Sequence, residues 1–234
     1  MTRSAWRPHG LALLDYLAGD RQARVRVLGE DGEEEWVEAA VFFRGPAEFS
    51  ALEDAALGLC RGRVLDAGAG AGSHALVLQG RGLAVVAIDI APEAVEVMRR
   101  RGVRDARCAD IFGFQGERFD TLLLLMNGIG IVESLAGLTR FLGEIPRLLL
   151  PGGQVLFDSY DLVEGEGAVK DPSGRYPGEL RFRLEYLGRR APAYGWLFVD
   201  FPTLRDTAAK LGWAAQVIWQ EAEGHYLARL IQRR

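Results

Sequence analysis

The 234-residue chain has only two cysteines, Cys60 and Cys108. Two thiols neither form a metal-ligand spacing nor staple a chain of this length, so free thiols in a reducing cytoplasm are expected. It has no surplus of positive charge. Lys+Arg 28 against Asp+Glu 32 gives a net charge of -4, which argues against a broad phosphate-neutralising surface and a nucleic-acid partner. It has no long apolar run. The longest, Leu122 to Val132, is broken by Asn127 and falls well short of the roughly 20 residues a bilayer helix needs. Asp15 interrupts the apolar run from Leu11, so no signal peptide is expected. Repeats and low-complexity tracts are also lacking. What the chain has is 29 glycines and 49% hydrophobic residues, the composition of a globular domain with a real core.

Helical spacing predicts a helix over 9–19 ending on Gly19, and 23–43 reads as a β-hairpin. Ser50 with Glu53 three residues on predicts a capped helix to about Cys60. From Arg63 the pattern changes. RVLDAG, LAVVAID, ARCADI, FDTLLLLM and GQVLFDS are short apolar runs separated by helical segments at Ser73–Arg81, Pro92–Arg101 and Leu135–Leu150. Strands apolar on both faces that alternate with helices imply a parallel sheet covered on both sides. Beyond Asp158 the alternation stops. Residues 159–179 read as a long loop, 180–187 and 194–201 as strands, 204–212 as a helix, and 213–231 as a terminal hairpin. The expected organisation is an N-terminal helix and hairpin extension over 1–49, then a domain over 50–234 carrying a small β insertion or lid at 159–203.

The chemistry-bearing segment is Val64-Leu65-Asp66-Ala67-Gly68-Ala69-Gly70-Ala71-Gly72-Ser73-His74. It follows a buried strand and opens a helix, so its glycines turn sharply and admit a ligand close to the backbone. The spacing is not the G-x-G-x-x-G of a dinucleotide site, because Ser73 stands where that pattern needs glycine. Asp66 precedes the glycines, where a pyrophosphate would be repelled and a cationic ligand favoured. Asp89 ends the next strand, placed to accept two ribose hydroxyls, and Asp110 ends the third, where an adenine would lie.

With these three acids and the glycine run in order, the chain resembles the class I S-adenosylmethionine-dependent methyltransferases. That resemblance implies an α/β fold: a seven-stranded, mostly parallel Rossmann-like sheet with helices on both faces and one antiparallel strand. It implies S-adenosyl-L-methionine as cofactor and S-adenosyl-L-homocysteine as product. The implied cofactor contacts are Asp66, Ala67, Gly68, Gly70, Gly72, His74, Asp89, Ile90, Asp110 and Ile111, with Met126, Asn127 and Gly128 beside the sulfonium. A longer resemblance, to bacterial methyltransferase-like proteins, rests on Ala12–Tyr16, Asp66–Leu76, Leu123–Ile131 and Tyr226–Leu230; it indicates no acceptor. Asn127 is not followed by the proline-proline-aromatic signature of enzymes that methylate base amines, and no metal-binding acid pair is evident, so no metal is expected.

Asp158, Tyr160 and Asp161, at the end of the fifth core strand, are the acceptor-side candidates; no residue is named as catalytic. Arg44 is a candidate partner for the cofactor carboxylate. Tyr16 is a candidate cover for the site, and Tyr186, Tyr194, Trp196 and Phe198 read as a lid or acceptor pocket, as a packed sheet face, or as a dimer surface. His9 and His225 read as solvated, and Arg99–Arg104 as a solvated helix end favourable to the dipole. The expected activity is methyl transfer to a small molecule by a cytoplasmic monomer or homodimer. A nicotinamide-dependent oxidoreductase on a related sheet, and a non-catalytic cofactor-binding module, are the alternatives.

Overall fold

The computed structural model describes residues 2–162, 174–221 and 224–233. The chain opens with α1 (Arg3–Ala18), longer than its apolar spacing suggests. Pro8 lies inside it, and Gly19 closes it in the left-handed conformation. The hairpin follows as β1 (Arg24–Gly29) and β2 (Glu34–Glu38), then a short 3-10 turn over Ala39–Phe42. α2 (Ala51–Leu59) starts as its sequence dictates: Ser50 Oγ accepts the Glu53 N–H, and Glu53 accepts the Ser50 N–H. Next come β3 (Arg63–Ala67), α3 (Ser73–Gly80), β4 (Ala84–Asp89), α4 (Pro92–Arg101), β5 (Ala106–Cys108) and β6 (Phe119–Leu124). α5 (Leu135–Glu144) is capped by Ser134 and passes into a 3-10 turn before β7 (Leu149–Tyr160). β8 (Glu179–Tyr186), β9 (Arg189–Arg190), β10 (Tyr194–Leu197), α6 (Phe201–Lys210), β11 (Trp213–Gln220) and β12 (His225–Gln232) complete it. Part of the expected loop at 159–179, residues 163–173, lies outside the described residues.

The core sheet has seven strands in the order β11-β12-β7-β6-β3-β4-β5. β6 and β7, and β4 and β5, pair in parallel. β12 runs antiparallel to both β7 and β11, supplying the one reversed strand. The middles of β6 and β7 are apolar: Leu122–Leu124 and Val155–Phe157 are fully buried. At about 1.5–3 kcal/mol for each large apolar side chain removed from water, these six anchor the sheet centre.

The chain divides into two compact units. One comprises Met1–Phe49, Asp66–Phe114 and Arg181–Tyr194; the other comprises Ser50–Leu65, Gln115–Leu180 and Gly195–Arg234. Within the first, the N-terminal hairpin and the insertion strand β8 pair antiparallel, Arg26 opposite Glu185 and Val27 opposite Leu184. Two segments far apart in sequence thus build a second sheet, in the order β10-β8-β1-β2. Tyr186 and Tyr194 are buried there. The Tyr186 hydroxyl donates to Asp15 at 2.8 Å, and Tyr194 packs on Trp6 at 5.1 Å, which matches the packed-face reading for these two residues.

Candidate functional site

In the first unit the site grows from the end of β3. Asp66 is 2% exposed, and its Oδ2 has no hydrogen-bond partner among the described residues. Burial pushes its carboxyl up to about 6, against the opposing pull of His74 and the Ala75 N–H. The chain then turns away from β3. The N–H groups of Gly68 and Ala69 both donate to the Ile88 carbonyl, at 2.9 and 3.0 Å. Two glycines are needed for different reasons. Gly68, at φ +74°, has nothing within 4 Å of an added Cβ, so its backbone faces open space. Gly72, at φ +81°, has no room: a Cβ would lie 2.8 Å from Val103 and 3.0 Å from Met98.

Asp89 ends β4 and is 8% exposed. Its Oδ2 accepts the Gly70 N–H at 3.0 Å and its Oδ1 the Ala91 N–H at 2.8 Å, so the carboxylate both shapes the glycine loop and starts the next turn. Burial pushes it up to about 6; the amides resist and the nearby Asp66 adds to the rise. With the Ile90 amide also acting on it, the carboxylate keeps acceptor capacity for a further donor. Asp89 lies opposite Cys108 of β5, and the Ala109 N–H donates to the Asp89 carbonyl. This places Asp110 and buried Ile111 just beyond the same strand end; Asp110 is exposed and accepts the Phe112 N–H at 3.0 Å.

A brace surrounds the glycine loop. Ser73 Oγ donates to the Phe42 carbonyl at 2.8 Å, and Arg101 donates to the Ala71 carbonyl at 2.7 Å and to Ser73 Oγ at 3.1 Å. The Arg101 guanidinium also lies 4.7 Å over the Phe43 ring. Reading the Arg99–Arg104 run as a solvated helix end therefore fails at Arg101, because the fold brings carbonyls to it. His9 is a second correction. It is buried against Trp6 and Phe42, and desolvation drives its ring down to about 4. Arg44, expected to face a cofactor carboxylate, uses Nε on the Val41 carbonyl and Nη1 on the Glu48 carbonyl, and so holds its own turn. His74 is buried against Phe49 at 5.1 Å.

In the second unit β6 is followed by Met126 and Asn127, both left-handed at φ +65° and +53°. Such residues persist only where their surroundings hold them. The holder is Asp158, 2% exposed on β7: its Oδ2 accepts the Asn127 N–H at 2.8 Å and its Oδ1 the Gly128 N–H at 3.4 Å. His225 Nε2 approaches the same Oδ2 at 2.8 Å, and its Nδ1 lies 3.4 Å from Glu221. The imidazole stacks flat on Tyr160, 4.0 Å between centroids. Burial disfavours its charge, but Asp158 and then Glu221 outweigh this and hold it above the ordinary histidine value. His225 is thus no solvated turn residue. Sequence reasoning missed it because its partner is 67 positions away; only the antiparallel register that sets His225 opposite Tyr160 reveals it. Asn127 is 7% exposed, and neither its side-chain nitrogen nor its oxygen has a partner among the described residues. Asp161 donates its N–H to the Gly224 carbonyl. Trp196 packs where a side chain on Gly130 would stand.

These features occur in proteins of known kind. A family described as a methyltransferase domain matches residues 65–157. The crystal structure of an S-adenosylmethionine-dependent methyltransferase from Bacteroides fragilis, in complex with S-adenosyl-L-homocysteine, is 38% identical with a TM-score of 0.89, covering 99% of this chain and 97% of its own. The chain belongs to the S-adenosylmethionine-dependent methyltransferases. Two more distant structures share the fold. KedS8, a sugar N-methyltransferase from Streptoalloteichus, is 18% identical at TM-score 0.57, with 87% of this chain and 96% of that one covered. CalS10, an amino pentose methyltransferase from Micromonospora echinaspora, is 18% identical at TM-score 0.54, with 80% and 93% covered. Membership in the methyltransferases sets the nicotinamide alternative aside. The cofactor of the family also fits the residues present: a cation suits the unpartnered Asp66 oxygen, hydroxyl donors suit the spare lone pairs of Asp89, and the open face of Gly68 admits a ligand against the backbone. No described helix is long and apolar enough to cross a membrane.

Proposed function

We propose that this methyltransferase acts on a small-molecule acceptor in the cytoplasm, and that its first unit holds the nucleoside and methionine parts of the cofactor. Asp89 takes the ribose hydroxyls. Asp110 and Ile111 take the adenine, with Ile90 beside them. Gly68 and Gly70 run under the methionine part, and Asp66 meets its positive charge; Ala67, Gly72 and His74 shape that turn. The observation that carries this reading is the pair of buried carboxyls, Asp66 and Asp89, at the ends of neighbouring strands, both raised by burial despite the pull of His74 on Asp66. Buried, raised carboxyls of this kind are relieved when a ligand brings them positive charge or hydrogen-bond donors.

When bound, S-adenosylmethionine supplies a methyl group already made electrophilic by its sulfonium. The protein's contribution is placement: holding an acceptor in line with the transferring bond can supply on the order of 7–11 kcal/mol. We assign Met126, Asn127 and Gly128 to the transferring side, with the buried Asn127 amide as the orienting group. Asp158 has both lone pairs of Oδ2 engaged, so it anchors this turn before it can act as a base. Tyr160 and Asp161 remain the acceptor-side candidates. The net charge of -4 supports a small acceptor over a nucleic acid. Calorimetry with S-adenosyl-L-homocysteine, followed by a mass-spectrometric screen of metabolite pools for an enzyme-dependent gain of one methyl, tests the reading. Failure of the ligand to bind the intact protein would end it.

A further inference from the structure

We propose that His225 is a positioning residue for the Met126–Gly128 turn, acting through Asp158, and that it does not serve as a proton acceptor for the substrate. The inference depends on the proposed function for its catalytic meaning, but the coupling itself is a property of the fold. The chain of contact is short. His225 Nε2 lies 2.8 Å from Asp158 Oδ2, and that same oxygen accepts the Asn127 N–H at 2.8 Å. The other carboxylate oxygen takes the Gly128 N–H. A carboxylate has only so many lone pairs, and Oδ2 spends both here. Its orientation is therefore fixed jointly by a ring nitrogen from β12 and a backbone amide after β6.

The histidine is itself constrained from each side. Asp158 and the Tyr160 ring face it from β7, and Glu221 faces it from the end of β11. Asp161, just past β7, is tied to Gly224, the residue before His225. Both ring nitrogens thus point at carboxylates. Only the doubly protonated imidazolium donates to both; a neutral ring would aim a bare lone pair at one of them. A general base needs a nitrogen free to take a proton from the acceptor, and this ring has none to offer.

What the arrangement controls is the Asn127 side chain. Its nitrogen and oxygen are buried with no partner among the described residues, on a turn whose two non-glycine residues adopt left-handed backbone. Such a turn keeps one direction only while its amides are held. The holder is a carboxylate whose counter-ion is His225.

The test is nuclear magnetic resonance on the full chain without ligand. At pH 6 both His225 ring nitrogens should carry protons. The Asn127 amide proton should titrate together with the His225 ring, at a midpoint above 6.5. In His225→Gln, which keeps a donor for Asp158, the Asn127 and Gly128 amides should stay near their wild-type positions but lose the titration. In His225→Leu they should move. A neutral His225 at pH 6, or Asn127 and Gly128 amides that ignore both substitutions in folded protein, would overturn the proposal; the latter leaves His225 as packing only. Where His225→Leu fails to fold, the presence or loss of titration in His225→Gln decides alone. Calorimetry of the wild type with S-adenosyl-L-homocysteine separates the two claims. No binding there would sink the proposed function, while the amide coupling is read independently.

Discussion

Two buried strand-end carboxylates in this methyltransferase are treated in opposite ways. Asp66, in the first unit, has one oxygen without a partner and only another acid, Asp89, as a charged companion besides His74. Asp158, in the second, is equally buried but is given two backbone amides and its own histidine. Burying a charge is costly in both places. At Asp158 the fold meets that cost itself, and the result is rigidity of a turn. At Asp66 the cost stands until something else arrives, and the result is a site.

The largest effect that would break this contrast is in stability. Asp158→Asn sets an amide N–H2 group against donors and strands His225, and should cost about 3–5 kcal/mol in chemical denaturation. A neutral outcome would mean that the turn is not held as described. Next comes affinity. Asp89→Ala removes the acceptor for two ribose hydroxyls and should weaken S-adenosyl-L-homocysteine on the order of a hundredfold or more, read by calorimetry. Asp66→Asn should do the reverse of Asp158→Asn. It removes a buried charge and should stabilise the ligand-free protein by roughly 1–3 kcal/mol at pH 8, while weakening the ligand. A lower melting temperature for this variant would show that Asp66 is already satisfied.

The smallest effect separates the two sites by pH. Asp66 and Asp89 have carboxyls raised in the folded state to about 6 from an ordinary 3.8. Their contribution is present below about pH 4 and is lost as pH rises through about 6. His225 is likewise raised, so its contribution is present below 6.5 and lost as pH rises through its folded value. The ligand-free melting profile should therefore fall in two windows. Asp66→Asn should flatten the lower one. His225→Gln should flatten the upper one, by less than about 1 kcal/mol because the ring is only partly shielded from solvent.

Much of this was readable in order along the chain. The alternation of doubly apolar strands with helices, Pro92 at a helix start and the Ser50–Glu53 cap are local signals, and each appears where its chemistry demands. The glycine turn is local too, since left-handed backbone and close packing are written as glycine. α1 begins at Arg3, ahead of the 9–19 expected from apolar spacing, because Pro8 sits inside the helix, where it removes one hydrogen bond without ending it. Pairings across long separations were not legible. The hairpin at 24–38 joins β8, Arg101 reaches back to the glycine loop and Phe43, and His9 is buried although its neighbours in sequence give no sign of it.

What the sequence determined by itself is the fold class and the place of the cofactor turn, because burial periodicity and glycine spacing act over a few residues. Which carboxylates are neutralised, which are left bare, and which histidine does the neutralising were decided only by tertiary structure. Electrostatic pairing depends on distance in space, and β-register brings together groups such as Asp158 and His225 that the chain keeps far apart.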